Sequence, residues 1–168
     1  SDMARATARA FAALGHPVQL AARDADSMEL EKADLETRYG VAVTLHEFDA
    51  LDVNGHEAFV DGLPVLLAHG AGGTMGEQDE NEKDPAKAVA VLRSNFEGPA
   101  IVFGVLAERF VNRGSGTLVG ISSVAGDRGR ASNYVYGSAK AGFTALLSGL
   151  RNRLAKQNVH VVTVKPGF

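Results

Sequence analysis

Segments typical of helices and strands alternate along almost all of this 168-residue chain, and no other feature limits its fold as strongly. Amphipathic stretches indicate helices, and short apolar runs bounded by glycine or proline indicate buried strands. The predicted helices are Met3–Leu14, Ser27–Tyr39, His56–Asp61, Pro85–Asn112 and Asn133–Gln157, and the predicted strands are Val18–Ala22, Val41–Phe48, Pro64–Ala68, Gly116–Ser123 and Val159–Val164. This alternation predicts an α/β fold, a doubly wound parallel sheet with helices on both faces.

The length predicts one domain, residues 1–168, with one core. The chain begins with a helix and ends just past a strand, whereas a doubly wound domain normally has a strand before its first helix. We therefore expect a single Rossmann-type domain without its first strand and without a C-terminal substrate segment. The acidic stretch Glu77–Lys83 is expected to be a solvated loop.

The composition argues against several classes of function. A formal net charge of −3, with no lysine/arginine run, offers no basic surface for nucleic acid. No stretch approaches the roughly 18 apolar residues of a membrane span, and no signal-peptide pattern is present. The absence of cysteine excludes disulfides and thiolate catalysis and fits a reducing compartment, so we predict a soluble, cytoplasmic protein. The five histidines show no metal-ligand spacing, and we predict no metal site.

Tyr136 and Lys140 are the strongest candidates for chemistry. They occupy positions i and i+4 of a predicted helix and therefore share one face. A tyrosine ordinarily has a pKa of about 10, and we expect the Lys140 ammonium to lower the pKa of Tyr136. Ser123 ends the preceding strand, where parallel sheets bind ligands. Its hydroxyl is suited to hydrogen-bond a substrate carbonyl while Tyr136 exchanges a proton with the same oxygen. The alternative is a core tyrosine with a solvated surface lysine.

The whole chain resembles the short-chain dehydrogenase/reductase family, because several motifs occur in the family's order. A first helix, an acidic residue after a strand and a glycine turn after the next strand are followed by Asn95, Ser123, Tyr136, Lys140 and Pro166-Gly167. The resemblance implies a Rossmann-type sheet that binds NAD(H) or NADP(H). It also implies hydride transfer between nicotinamide and a small-molecule carbonyl or alcohol.

By this resemblance, four residues are catalytic. Tyr136 is the general acid/base, and Lys140 lowers the tyrosine pKa and contacts the nicotinamide ribose. Ser123 orients and polarises the substrate oxygen. Asn95 helps to hold a proton-relay water, although taken without the other three it is better explained as an ordinary polar residue inside a helix.

The resemblance also predicts the residues at the phosphate end of the cofactor. Ser1-Asp2-Met3-Ala4 overlies the end of the family's glycine-rich turn, so Ser1 and Met3 are predicted to face the pyrophosphate and Asp2 to cap the helix. Ala22 aligns with the carboxylate of NAD-specific sites, and Arg23 follows it. Because a guanidinium matches a 2′-phosphate, NADP(H) is predicted over NAD(H). The alternatives are that Asp24 contacts the ribose or that Arg23 is a solvated turn residue.

Three further cofactor contacts are implied. Asp49 matches the residue that contacts the adenine, and Pro166-Gly167 matches the loop that passes the nicotinamide. Gly70 aligns with the last residue of the family's Asn-Asn-Ala-Gly motif, although the chain has Leu67-Ala68-His69-Gly70 there. Asp49 as a turn cap and Pro-Gly as an ordinary turn are the simpler alternatives.

The family commonly forms dimers or tetramers through two helices, here Pro85–Asn112 and Asn133–Gln157. We therefore predict a homodimer or homotetramer, with the following apolar residues as candidates for the interface: Phe103, Leu106, Phe110, Phe143, Leu147 and Leu150. The alternative for some of these residues is core packing within one subunit. A narrower resemblance, to the ketosugar-reducing component of bacterial decaprenyl-phosphoribose epimerase, suggests a keto sugar as substrate. The alternative functions are a non-catalytic nicotinamide-binding sensor or scaffold, and an epimerase or lyase that uses the same tyrosine and lysine.

Overall fold

The computed structural model describes residues 1–63, 67–71 and 73–167 of the chain. These residues divide into two compact units, Ser1–Asp49 and Ala50–Phe168. The single domain predicted for residues 1–168 stays a prediction.

The first unit is built from two helices and two parallel strands. Its elements are α1 (Asp2–Ala13), β1 (Val18–Ala22), a 3-10 turn (Asp26–Met28), α2 (Glu29–Tyr39) and β2 (Val43–Glu47). Strands β1 and β2 pair in parallel, with Val18 opposite Val43. A small core joins helix and strand residues, namely Ala8, Ala12, Leu35, Val41 and Val43. Helix α2 ends at Gly40, whose φ of 68° suits a glycine.

The second unit contains a three-stranded sheet and the longer helices. Its elements are a 3-10 turn (Val53–Gly55), α3 (His56–Asp61), β3 (Leu67–Ala71), α4 (Gln78–Asn81), α5 (Pro85–Leu92), a π-helical turn (Arg93–Glu97), α6 (Gly98–Arg113), β4 (Gly116–Ile121), a 3-10 turn (Val124–Gly126), α7 (Tyr134–Leu154) and β5 (Val159–Val164). The sheet order is β3-β4-β5, and both pairs are parallel. The carboxyl ends of the three strands therefore lie at one edge, where parallel sheets bind ligands.

Helices α6 and α7 form the core of the second unit on one face of its sheet. Two glycines of β4 lie on this face: a Cβ on Gly116 would meet the ring of Phe110, and a Cβ on Gly120 would meet Leu147. Between the helices, the rings of Phe103 and Phe143 meet edge to face, with centroids 5.3 Å apart. The six apolar residues predicted for a subunit interface are all buried within this chain, so that assignment is wrong in detail.

Several helices and strands differ in their bounds from the sequence prediction, and the larger differences lie in the second unit. The acidic stretch Glu77–Lys83 is not a fully solvated loop, because it contains α4 and buries Asn81. The helix predicted for Pro85–Asn112 is interrupted by the π-helical turn. The strand predicted for Gly116–Ser123 ends at Ile121. Of the strand predicted for Pro64–Ala68, residues 64–66 lie outside the described residues, and β3 continues to Ala71.

The helical run Pro85–Arg113 is long and apolar enough to cross a membrane by length and composition alone. The expectation that no stretch approaches the size of a membrane span is therefore wrong. Its apolar composition has a simpler origin in this fold. The residues of the run that are buried in the second unit include Val91, Val102, Phe103, Leu106, Ala107 and Phe110. A buried core helix passes the same test of length and hydropathy.

Candidate active site

The carboxyl end of β4 is attached to α7 by two adjacent serines. Ser122 is buried, donates to the backbone carbonyl of Lys140 at 3.0 Å and shares a 2.6 Å hydrogen bond with Thr144. Ser123 comes next and is the N-cap of the 3-10 turn. Its Oγ accepts from the amide of Ala125 at 3.1 Å. The strand end and the middle of α7 are thus held together beside Ser123.

Two glycines allow the turn after β4 to lie against the backbone of α7. A Cβ on Gly126 would be 2.7 Å from the amide nitrogen of Ala141, and a Cβ on Gly137 would be 2.7 Å from the carbonyl oxygen of Ala125. Real Cβ atoms do not approach backbone atoms so closely, so any side chain at either position would separate turn and helix. This close approach brings Ser123 to Tyr136, the residue before Gly137.

Tyr136 is half-buried, and its hydroxyl lies beside the side chain of Ser123. Burial raises the pKa of Tyr136 above its ordinary value, because the phenolate would lose solvation, and the side chain of Ser123 acts in the opposite direction. The expectation that the pKa of Tyr136 is lowered is therefore wrong. At neutral pH the tyrosine is protonated and can donate.

The position of Lys140 explains why it does not lower the pKa of Tyr136. Its side chain is only 3% exposed, and its Nζ donates to the carbonyl oxygen of Ile121 at 3.0 Å. The same Nζ lies 5.6 Å from the centroid of the Tyr136 ring, over the ring and not at the phenol oxygen. Burial lowers the pKa of Lys140 to about 8, because a buried ammonium loses solvation.

Asn95 lies in the π-helical turn and is fully buried. Its Nδ2 donates to the carbonyl oxygens of Thr74 at 2.8 Å and Val91 at 3.0 Å. Its Oδ1 is buried and has no hydrogen-bond partner among the described residues. A buried, unpaired acceptor of this kind is chemically suited to accept from a water or a polar ligand, and single π turns are frequent at functional sites.

The remaining predicted residues of the second unit have visible structural roles. Pro166 accepts from the amide of Val124 at 3.2 Å, which places Pro166-Gly167 next to the turn that starts at Ser123. Gly70 lies inside β3 opposite Gly120, and a Cβ there would be 2.5 Å from the ring of Phe103. Packing against Phe103 is sufficient to explain the glycine at position 70.

The cofactor residues predicted in the first unit are mostly exposed. Ser1 is the N-cap of α1, where its Oγ accepts from the amide of Ala4 at 3.3 Å. Asp2 is the first helical residue, so the prediction that Asp2 caps α1 is wrong. Met3 is exposed in the same turn, Arg23 is exposed directly after β1, and Asp49 is exposed after β2. Asp24 accepts from the amide of Ser27, a local role that accounts for this carboxylate.

The sequence did not identify four residues that hold this site together. Ser122 appeared only as part of a serine pair, although its hydroxyl ties β4 to the backbone of Lys140. Gly126 follows Ser123 and Gly137 follows Tyr136. Because glycine is unfavourable inside a helix, the glycine at position 137 could have predicted close packing at this point. Gln78, whose side chain accepts from the amide of Val135, had no signal in an acidic stretch.

The site residues fit a nicotinamide cofactor chemically. Lys140 supplies a buried ammonium and Asn95 a buried, unpaired amide oxygen, both suited to a polar ligand. In the first unit, Arg23 supplies an exposed guanidinium suited to a phosphate. Over the described ranges, no group of three or more His, Asp or Glu side chains lies close enough to hold a metal ion.

Known proteins resemble this chain in sequence and in fold. A family model described as short chain dehydrogenase matches residues 1–168. An uncharacterized oxidoreductase of Mycobacterium tuberculosis is 39% identical over 161 residues, which cover 93% of this chain. The chain spans only 65% of that relative's length.

Two solved structures are also similar. The bulky-bulky ketone specific alcohol dehydrogenase from Comamonas testosteroni matches with a TM-score of 0.88 and 23% identity, over 97% of this chain and 66% of that one. A short-chain dehydrogenase from Sphingobium yanoikuyae in complex with NADPH matches with a TM-score of 0.84 and 26% identity, over 95% of this chain and 64% of that one. The predicted α/β class with a Rossmann-like arrangement of parallel strands is thereby confirmed.

Proposed function

Since this chain belongs to the short-chain dehydrogenase family, we propose that it is an NAD(P)-dependent oxidoreductase that interconverts a ketone and a secondary alcohol. One observation carries the proposal. The half-buried hydroxyl of Tyr136 lies beside Ser123, and the buried ammonium of Lys140 lies over the tyrosine ring. A proton donor, a second hydroxyl and a nearby cation are the groups needed to handle a carbonyl oxygen.

The raised pKa of Tyr136 favours the direction of reduction. A protonated tyrosine serves as a general acid, which gives its proton to the oxygen as the carbonyl becomes an alcohol. Ser123 then donates its own hydrogen bond to the same oxygen and fixes its orientation. When Tyr136 has lost its proton, Lys140 holds a positive charge beside the ring, and a pKa of about 8 lets it exchange protons near neutral pH.

The cofactor supplies the hydride, and the chain binds and orients it. The candidates for binding in the second unit are Lys140, Gly70, Pro166 and Gly167, together with Tyr136. Those in the first unit are Ser1, Met3, Arg23 and Asp49. We favour NADP(H) over NAD(H), because Arg23 follows β1 where NAD-specific sites carry a carboxylate. The NADPH complex of the S. yanoikuyae relative supports this choice.

The decisive experiment is a comparison of two tyrosine variants in the purified full-length protein. A carbonyl panel that includes a keto sugar is screened with NADPH and with NADH. With the best substrate, Tyr136→Phe should lower kcat by about 10²- to 10⁴-fold, the usual contribution of general acid catalysis, and should leave NADPH binding within about twofold. Tyr39→Phe removes a phenol hydroxyl at the end of α2 in the first unit and should keep near-normal turnover.

Three outcomes would change the assignment. If Tyr136→Phe turns over like the wild type on a proven substrate, the proposed role of the tyrosine is wrong. If the wild type binds NADPH and reduces no member of the panel, a nicotinamide-binding sensor becomes the better function. Cofactor that copurifies and is regenerated in each cycle would instead favour an epimerase or lyase.

We also propose a homodimer or homotetramer, with a corrected interface. The helical run from Pro85 to Arg113 keeps four apolar side chains partly exposed, Val89, Leu92, Phe96 and Ile101. An exposed apolar stripe on a helix is suited to pack against a second subunit. The cytoplasmic location stays a proposal of the same kind.

A further inference from the structure

The acidic segment before α5 is ordered against the candidate active site. We call residues 73–84 the brace. Asn81 in α4 is only 4% exposed, and its Nδ2 donates to the carbonyl oxygen of Met75 at 3.2 Å. Gly76 has a φ of 64°, and a Cβ there would be 2.9 Å from Oδ1 of Asn81. The brace therefore folds on itself around a buried asparagine, although its surface is acidic.

At its start, the brace contacts the π-helical turn that carries Asn95. The carbonyl oxygen of Thr74 accepts from Nδ2 of Asn95 at 2.8 Å, and the amide of Gly73 donates to the carbonyl of Ser94 at 3.3 Å. These bonds orient the Asn95 amide so that its Oδ1 is left as the unpaired atom. The conformation of the brace and the orientation of Asn95 are thus linked.

At Gln78, the brace contacts the first turn of α7. Oε1 of Gln78 accepts from the amide of Val135 at 3.2 Å. This amide belongs to the first four of a helix, which have no partner within the helix. Asn133, the N-cap residue of α7, makes no capping hydrogen bond with its side chain. Gln78 therefore satisfies a helix end that the local sequence leaves open, at the residue immediately before Tyr136.

We propose that Gln78 is a positioning residue for Tyr136. Its side-chain carbonyl fixes the first turn of α7, and this turn sets the position of the Tyr136 hydroxyl against Ser123. The inference rests on the proposed function, because positioning matters only if Tyr136 transfers a proton. It assigns a role in the reaction to a residue that touches neither the substrate nor the reacting atoms.

The first test separates turnover from binding in three variants. Gln78→Ala removes the acceptor for the Val135 amide. Because the helix end then lacks its cap and Tyr136 is less well oriented, kcat should fall by about three- to tenfold. The KM for NADPH should stay within about twofold of the wild-type value. Gln78→Glu keeps an acceptor oxygen at a helix N-terminus and should retain most of the wild-type kcat. Asp79→Ala changes an exposed neighbour on the same short helix and should have no effect. Wild-type kcat in Gln78→Ala, or an equal loss in Gln78→Glu, overturns the proposal.

The second test needs no substrate. The ionisation of Tyr136 is followed by near-ultraviolet difference absorbance, with Tyr136→Phe subtracted to remove the other two tyrosines. Because the side chain of Ser123 lowers the pKa of Tyr136, a first turn that moves Tyr136 away from Ser123 should raise that pKa in Gln78→Ala and not in the control Asp79→Ala. An unchanged pKa in Gln78→Ala contradicts the positioning role. If the wild type reduces no carbonyl, the proposed function fails, and this titration still decides whether Gln78 positions Tyr136.

Discussion

The two compact units hold their candidate functional residues in opposite ways. In Ala50–Phe168, Asn95 and Lys140 are buried and hydrogen-bonded, and Tyr136 is half-buried against Ser123. In Ser1–Asp49, the side chains of Arg23 and Asp49 are exposed at the ends of their strands. Each unit has its own parallel strands, so the difference does not come from the type of secondary structure.

The contrast follows from what each kind of chemistry requires. Proton transfer depends on distances and angles, so its groups need neighbours that restrict them. A guanidinium brings its own rigid, planar fork of donors to a phosphate, so an exposed side chain at a strand end is sufficient without further neighbours. Changes in the second unit should therefore reduce turnover strongly, and changes in the first should alter binding modestly.

Gly137→Ala should produce the largest effect, because it introduces a methyl group where turn and helix touch. The new Cβ would be 2.7 Å from the carbonyl oxygen of Ala125, so the turn that carries Ser123 must move. We expect a loss of about 1–3 kcal/mol in the free energy of unfolding and about a ten- to hundredfold fall in kcat. Urea unfolding and steady-state kinetics measure the two effects.

The matched control is the same substitution further along the same helix. Gly149 is exposed, and a Cβ there meets no atom within 4 Å. Gly149→Ala should raise the free energy of unfolding by about 0.5–1 kcal/mol, since glycine disfavours the helix interior, and should leave kcat unchanged. If Gly137→Ala behaves like Gly149→Ala, the active site does not depend on the close approach, and the contrast between the units weakens.

The elements were predictable where a local pattern determines them. The bounds of β1, β5 and α3 agree with the sequence prediction, because short apolar runs and a final glycine mark them. The π-helical turn at Asn95 and the docked helix α4 were not predictable, since both depend on contacts with distant segments, such as Asn95 with Thr74 and Gln78 with Val135.

The same limit applies to the candidate site. The identities of Ser123, Tyr136 and Lys140 followed from their spacing and from the family resemblance. The direction of the Tyr136 pKa shift did not, because it depends first on burial and then on the opposing effect of Ser123. Sequence spacing gives the face of a helix on which a side chain lies, and not its solvation.

The second prediction uses the buried charge of Lys140. Its pKa is lowered from 10.5 to about 8 in the folded chain. Between these two values the unfolded chain binds a proton that the folded chain has released, so stability rises with pH in this window. Below pH 8 both states are protonated, and the penalty for the buried charge is at its full size.

Lys140→Met provides the reference, because it removes the titrating group and keeps a similar volume. Tyr136 titrates in both proteins and largely cancels in their difference. The free energy of unfolding of the wild type, measured by urea unfolding relative to Lys140→Met, should rise from pH 8 to pH 10.5. A flat difference across this range would show that Lys140 is solvated, and the second unit would then resemble the first.

The smallest effect is expected at Arg23, which we propose to bind the 2′-phosphate of NADP(H). Arg23→Gln should raise the KM for NADPH by about tenfold, the value of one charge-assisted contact at an exposed site. The KM for NADH and the kcat with either cofactor should stay within about twofold. The effect should shrink at high salt, because exposed charges are screened.

Arg38→Gln, at an exposed arginine of the same unit that is paired with Asp34, is the control for a general change of charge. An equal rise of KM for both cofactors would contradict a 2′-phosphate contact. A fall in kcat as large as that of Gly137→Ala would show that the first unit, too, takes part in positioning the reacting groups.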